Sequence, residues 1–512
     1  MQDSEQPPVR HPWLITFGVL MGVSMLIIDS TIANIALPSM QGSLQAARDT
    51  VTWVLTSYIV AQAIGTPLAG WLAGRLGVRR LLIIAVIGFT IASVLCGLAT
   101  TLTQMVAFRI LQGLMGASLM PLSQTTMLDI FPRHRQPMAM SIWSVCILGF
   151  QALGPTLGGW LTEYYNWRWC FLINVPIGLG SLLLILTFMK TNTRHARRPL
   201  DFMGFISLAL AVGAMQLLLD RGEQKDWFSS TEIVLYACIA GVALWTFLVH
   251  SLTTARPFVN PRLFADSNYA TGLIFSFVCF LVFVGSVSLT APMLQQLYSY
   301  PVLTASYLML PRTAGMLVIS IIMGRIVQKF DPRLFVLTGL GLLAISSFGM
   351  SGFALQMGTW PIIWTSIIQG FGVGCVMMTV TVLSYQTLPA DLRPEATALN
   401  ALVRSLGQSV GVSVMISLLS TNTQTVHATL AEHLPEAMNY ANVPFYNRFS
   451  FDKAQLAQAL DAAVNRQAAM VAYIDDFYLM AWICLLTMPI ILLVRRRPGV
   501  NAPPSPAAMA AD

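Results

Sequence analysis

The chain has 512 residues, 55% of them hydrophobic and only 10% charged. A soluble chain carries about 25% charged residues, so a water-soluble globular protein is excluded. The formal net charge of +7 is spread over short loops, which points to a membrane topology rather than to nucleic acid.

Nearly uncharged stretches long enough to cross a bilayer recur along the whole chain, and this predicts an all-α polytopic membrane protein. A β-barrel would show short alternating strands instead, and none is seen. In chain order the predicted spans are 13–37, 51–73, 81–100, 104–128, 137–160, 168–189, 203–219, 231–250, 269–291, 302–323, 334–355, 360–388, 395–420 and 476–494. The first is too long for a signal-peptide core and no small-residue cleavage site follows it, so it reads as a retained span.

Basic residues mark alternate connections: Arg75, Arg79 and Arg80; Arg133 and Arg135; Lys190, Arg194, Arg197 and Arg198; Arg256 and Arg262; Arg325, Lys329 and Arg333; Arg393; and Arg495 to Arg497. The positive-inside rule places them in the cytoplasm, and an even span count places both termini there. Two internal echoes divide the chain. Gly70 to Arg80 resembles Gly324 to Arg333, and Arg109 to Gly113 resembles Ile368 to Gly374. Repeated halves with a midplane site are typical of secondary transporters. The division is a cytoplasmic N-terminus (1–12), a six-helix bundle (13–189) and a linker with two extra spans (190–260). A second six-helix bundle (261–494) and a cytoplasmic tail (495–512) follow. An external connection at 421–475 is predicted to contain a helical stretch from Asp452 to Val471.

Two charges fall inside apolar spans. Asp29 interrupts the first span, and a carboxylate there is kept only where it faces a bundle interior or a water-filled path. It reads as a proton carrier or as a structural acid capping a neighbouring helix. Arg109 lies in Arg109-x-x-Gln112-Gly113 and cannot lose its proton, so it needs an acid, carbonyls or water. Asp29 is its natural partner, and snorkelling is the rival reading. Arg404 and Arg312 pose the same question in the second half, to bind an anionic group or to fix a helix.

Gly154, Pro155, Gly158 and Gly159 suit close helix approach with a hinge, or plain small-residue packing. Gly70, Arg75, Gly77, Arg79 and Arg80 form a basic turn with a gating or a purely topological role. Met25, Asn34, Tyr58, Gln62, Gln112, Gln151, Gln369, Asn400 and Arg404 are candidates for a substrate cavity, because polar side chains in a span avoid lipid; helix–helix hydrogen bonding is the equal alternative. The 27 methionines suit an adaptable apolar pocket.

Seven cysteines stand in predicted spans without repeated spacing, so disulfides and zinc are not expected. His195, His427 and His433 read as loop residues, and no metal pair stands out. There is no phosphate-binding Gly-Lys loop, so ATP drive is not expected. No nucleophile–base constellation is visible, so the chain does not read as an enzyme, and no cofactor is expected.

Three long motifs carry a resemblance. They are Asp29 to Pro38 in the first span, Trp167 to Gly178 entering the sixth, and Leu219 to Gly222 with Asp226-Trp227-Phe228 between the extra spans. Together they resemble the major facilitator superfamily, in particular its fourteen-span drug:proton antiporters of the EmrB/QacA type, and the EmrB branch above all. The resemblance implies the major facilitator fold, two six-helix bundles plus two extra spans. It also implies proton-coupled efflux of hydrophobic, amphipathic, toxic compounds across the plasma (bacterial inner) membrane. Asp29 and Arg109 would serve proton coupling, and the Gly154-Pro155 motif would block proton leak. In a Gram-negative source it further implies a periplasmic adaptor and an outer-membrane channel, with 421–475 and Asp226 to Phe228 as contacts. A dedicated exporter of one metabolite, such as a siderophore, fatty acid or antibiotic, shares every motif. An uptake symporter and a non-transporting receptor are further rivals. Two departures stand out: Gly74 occupies the position of the usual gating acid, and Phe150 and Cys146 replace earlier glycines of the fifth-span motif.

Overall fold

The computed structural model describes residues 11–47, 50–132, 135–190, 199–255, 257–327, 330–386, 388–389, 392–432 and 453–494. Arg133, Arg194, Arg197, Arg198, Arg256, Lys329, His195, His433 and Arg495 to Arg497 lie outside the described residues. Within the described residues the regular elements are all helical. A chain in hydrocarbon must satisfy its backbone polar groups internally, and a helix does so within one segment.

The first half consists of α1 (Pro12–Ser43), α2 (Trp53–Gly65), α3 (Leu68–Leu76), α4 (Val78–Leu98), α5 (Leu102–Gly116), α6 (Leu119–Ile130), α7 (Gln136–Tyr164), α8 (Trp169–Leu172) and α9 (Asn174–Phe188). An extra pair follows, α10 (Phe202–Arg221) and α11 (Thr231–Thr253). The second half runs α12 (Arg262–Ala265), α13 (Ser267–Gln296), α14 (Val302–Ile326), α15 (Pro332–Ser351), α16 (Trp360–Gln386), α17 (Arg393–Glu432) and α18 (Lys453–Thr487), ending in a 3-10 turn, Met488–Leu493. Among the described residues twelve helical stretches are long and apolar enough to cross a membrane. The paired α2 and α3, broken where Pro67 offers no N–H, and α7 complete the fourteen predicted crossings. In the connection predicted at 421–475 the expected helical stretch is present from Lys453, the loop reading is corrected for 421–432 and 472–475, and residues 433–452 lie outside the described residues. α17 continues to Glu432, and a helix resumes at Lys453 and runs unbroken into the last crossing. His427, read as a loop residue, lies on α17 and pairs with Asp461 of α18 at 3.0 Å.

Consecutive crossings bring Arg75, Arg79, Arg80, Arg135, Lys190, Arg325, Arg333 and Arg393 to one face, called here the basic face. Here the halves are joined. Gly70 on α3 lies so close to α17 that an added Cβ would sit 2.8 Å from Glu395 Cα. Thr125 and Thr397 share a hydrogen bond at 2.9 Å, and Arg393 reaches Asp129 at 3.7 Å. One buried apolar cluster spans both halves, with Met127, Phe131 and Trp143 meeting Tyr269, Met378 and Leu402. The remaining large clusters stay within one half each. Gly77 stands at φ 81, a left-handed conformation that a side chain would strain, and reverses the chain between α3 and α4.

The extra pair is divided in its role. α10 packs on α2 of the first half and α17 of the second. Thr56 donates to Asp220, Gln216 Nε2 donates to Ser409 Oγ at 2.6 Å, and Ser413 Oγ donates to the Leu219 carbonyl at 2.8 Å. α11 leans chiefly on α10 and leaves Val242, Trp245 and Leu252 exposed, as a lipid-facing helix would. At the basic end Asp201 caps α10, accepting from Gly204 N at 3.0 Å, from Phe258 N at 3.0 Å and pairing with His250 at 2.8 Å. Burial alone would raise its carboxyl, but these donors outweigh it and hold the group below the usual carboxylate range.

Candidate functional site

The most polar buried assembly of the first half forms around Asp29. α1 is apolar from Trp13 to Ile28 except for two hydroxyls, so its buried face carries Asp29 into the half-bundle, 1% exposed. α5 brings Arg109 and, one turn on, Gln112 to the same point, both fully buried. Arg109 Nη1 donates to Asp29 Oδ2 at 2.5 Å and to Gln112 Oε1 at 2.9 Å, and its Nε donates to the Val54 carbonyl at 3.0 Å. Gln112 Nε2 reaches Asp29 Oδ1 at 2.9 Å, and Asn174 Nδ2 reaches the same oxygen at 3.2 Å. Ser93 on α4 accepts from Asn174 at 2.9 Å and donates to the Phe171 carbonyl at 2.9 Å, tying α4 and α9 into the network. The guanidinium lies over the Tyr58 ring at 4.1 Å.

Each hydrogen bond to the ionised carboxylate contributes about 1.5–3 kcal/mol. That offsets the desolvation of a buried pair, which Coulomb attraction by itself does not reliably overcome. Arg109 Nη2 and Asn174 Oδ1 are buried without partners among the described residues, so the described network has spare donor and acceptor capacity beside the carboxylate. Protonating Asp29 would remove the anion that these donors answer.

The glycine-rich stretch of α7 lies beside this acid. A Cβ at Gly154 would collide with Thr31 Oγ1, and one at Gly158 would sit 3.2 Å from Ile32 Cα. α7 therefore runs against the turn of α1 that follows Asp29. Gly159 meets nothing within 4 Å, and the Pro155 side chain lies outside the described residues.

The predicted cavity residues do not form one group. Met25, Tyr58 and Gln112 belong to the surroundings of Asp29, with Thr90 Oγ1 4.0 Å from Met25 Sδ. Gln62 is half-buried on α2, Gln151 is exposed on α7, and the Asn34 side chain lies outside the described residues. Asn400 and Arg404 lie on α17; Arg404 reaches across the seam to Met120 Sδ at 2.8 Å and lies over Trp143 and Phe280. Gln369 accepts from Ser286 Oγ at 3.2 Å deep in the second half, and its Nε2 has no partner among the described residues. On the basic turn, Arg75 lies over Trp71 and Arg79 donates to the Leu186 carbonyl at 2.8 Å, while Arg80 is exposed. Space within 4 Å of a Cβ at Gly74 is open, and near this turn Asp129 and Thr125 make polar contacts across the seam, to Arg393 and Thr397.

Sequence reasoning missed Asn174 and Ser93. Asn174 was legible as the one amide in the apolar run Phe171 to Ile177, whereas a serine in an apolar helix carries no such signal. It also missed Asp476, 1% exposed on α18, with both carboxyl oxygens lacking a partner among the described residues. The predicted last span began at 476, which put that acid at a boundary; the continuous α18 buries it. Among the described residues no cluster of His, Cys, Asp or Glu could hold a metal, and the cysteines are free thiols.

Residues 19–412 match the Major Facilitator Superfamily. The chain is 34% identical to the multidrug export protein EmrB of Haemophilus influenzae over 485 residues, 93% of this chain and 94% of that one. It is also 34% identical to EmrB of Escherichia coli K12, over 84% of each chain. The fatty acid resistance protein FarB of Neisseria gonorrhoeae is 32% identical over 96% of this chain and 98% of its own length. Among solved structures, a double-tryptophan mutant of XylE superposes with a TM-score of 0.64 at 16% identity, covering 96% of this chain and 98% of that one. The human organic anion transporter MFSD10 gives a TM-score of 0.60 at 14% identity, over 95% and 100%. With its two helical halves, its fourteen crossings and these relatives, the chain belongs to the major facilitator superfamily and is a multi-pass membrane transporter.

Proposed function

We propose that this protein is a proton-coupled exporter of hydrophobic and amphipathic compounds across the plasma (bacterial inner) membrane, with Asp29 as the proton carrier. The buried Asp29–Arg109 pair, held by Gln112 and Asn174, is the observation that carries the reading. A proton arriving at Asp29 neutralises the acid and frees Arg109 and the two amides to rearrange. Those donors sit on α5 and α9, while Asp29 sits on α1 against α7, so protonation alters how these helices hold one another. The positive-inside rule supports a cytoplasmic basic face with both termini on that side. Joining of the halves there fits a conformer closed to the cytoplasm. Rocking of one half on the other would open that face and close the opposite one.

The similarity to proteins named for multidrug export supports the substrate class. A dedicated exporter of one metabolite is the second reading, and similarity to a protein named for fatty acid resistance favours it. A periplasmic adaptor and an outer-membrane channel would dock on the face opposite the basic one, where α17 and α18 extend and where Asp226 to Phe228 lie exposed or half-exposed.

The test is substrate-induced proton release from purified protein, wild type against Asp29→Asn, over a panel of lipophilic cations and weak acids. Release by the wild type, absent in the variant while substrate binding persists, is the expected result. Equal release from both would move the proton to another group and overturn the role of Asp29.

A further inference from the structure

The second half contains a buried cation that no described residue answers. Arg312 lies within α14 and is 3% exposed, and its Nε, Nη1 and Nη2 are all buried without a hydrogen-bond partner among the described residues. α14 packs against α16, α13 and, across the seam, α7. Neither α13, α14 nor α16 contains an acidic residue anywhere along its length, and the single acid of α7 is Glu163, exposed at the end remote from the basic face. Asp476 lies on α18, which packs on α13, α15 and α17 instead. A buried carboxyl can shed its charge by taking up a proton, but a guanidinium cannot. No counter-charge for Arg312 is found among the described residues, and an anion from outside the chain would supply one.

Its surroundings describe what that anion is attached to. Leu308 and Met316, one turn before and one turn after Arg312 on the same helix face, are both buried. Gly370 brings the α16 backbone against the Arg312 carbonyl, so this stretch of α14 is fixed in place while its guanidinium keeps its donors free. A planar fork of N–H donors matches a carboxylate or sulfonate in two parallel hydrogen bonds, with apolar side chains on either side for the remainder of the molecule.

We propose that Arg312 receives the anionic headgroup of an amphipathic substrate inside the second half, between α14 and the helices it packs on there, making organic acids with apolar bodies a preferred class of cargo. The proposal rests on the export reading above for what happens after binding, but not for the binding itself.

The test uses the full chain in nanodiscs and two permanently charged probes of equal length, decanesulfonate and decyltrimethylammonium, in equilibrium dialysis. Wild type is expected to bind the sulfonate about tenfold or more tightly than the ammonium, the scale of a charge-assisted hydrogen bond. Arg312→Gln should erase that preference while leaving ammonium binding within about twofold, and Arg312→Lys should retain part of it. Equal binding of both probes by wild type overturns the proposal, and so does an unchanged preference in Arg312→Gln. The wild-type comparison decides even if no variant folds. Repeating the measurement with phosphatidylglycerol added to phosphatidylcholine discs separates substrate from lipid: sulfonate binding that disappears identifies a lipid headgroup as the resident anion and overturns the substrate role. Asp29→Asn in proteoliposomes reports on export separately, since loss of Asp29 coupling with intact charge selectivity at Arg312, or the converse, assigns failure to one reading alone.

Discussion

The two halves share an architecture and handle buried charge in opposite ways. In the first, Asp29 and Arg109 meet at 2.5 Å, and Gln112 and Asn174 add their amides. In the second, the corresponding helices carry Ser366 where the first has Arg109, and Gln369 where it has Gln112. Among the described residues the Gln369 side chain is bonded to Ser286 alone, while Arg312 and Asp476 are buried on different helices without partners. A repeat thus preserves helix packing, which needs only size and shape, while its polar groups diverge. One half holds a self-sufficient ion pair, and the other buries an arginine and an acid that no described residue pairs.

The largest expected effect breaks the first half's pair at the acid. Asp29→Asn should abolish proton-driven transport, measured as substrate efflux from proteoliposomes under an imposed pH gradient. Arg109→Met should follow, because it leaves a buried carboxylate without its cation. Destabilisation of about 3–5 kcal/mol is expected, read as the shift in denaturant midpoint in mild detergent. In the second half the sign reverses: Arg312→Met removes a charge that nothing compensates, and the unliganded protein should gain about 1–4 kcal/mol. A loss there of the size seen for Arg109 would mean that the contrast between the halves is false. Asn174→Ala removes one charge-assisted bond and should cost about 1.5–3 kcal/mol by the same measurement.

The smallest effect lies outside both halves. Asp201→Ala removes the cap of α10 and should cost about 1 kcal/mol. Because the folded-state carboxyl is held below its ordinary value, its contribution is complete above about pH 4 and fades as pH falls through the depressed value. A melting temperature that loses this acid-side slope in the variant is the expected result.

The sequence by itself determined the number of crossings, their order and the division into halves with an extra pair. Those follow from length and apolarity, which are local properties, and the positions of Asp29 and Arg109 were legible because a charge inside an apolar run is costly unless it is answered. The tertiary structure decided which answer each charge received. Asn174 and Ser93 join Asp29 only because α9 and α4 pack beside α1, and Gly154 faces Thr31 only because α7 crosses there. The polar part of α18 was legible as the helical stretch from Asp452 to Val471, but its unbroken run into the last crossing and the continuation of α17 were not, since polar helices stabilised by each other lack the apolar signal of a span. Arg312 was visible as a charge, but its isolation was not, because having no partner is a property of every helix around it.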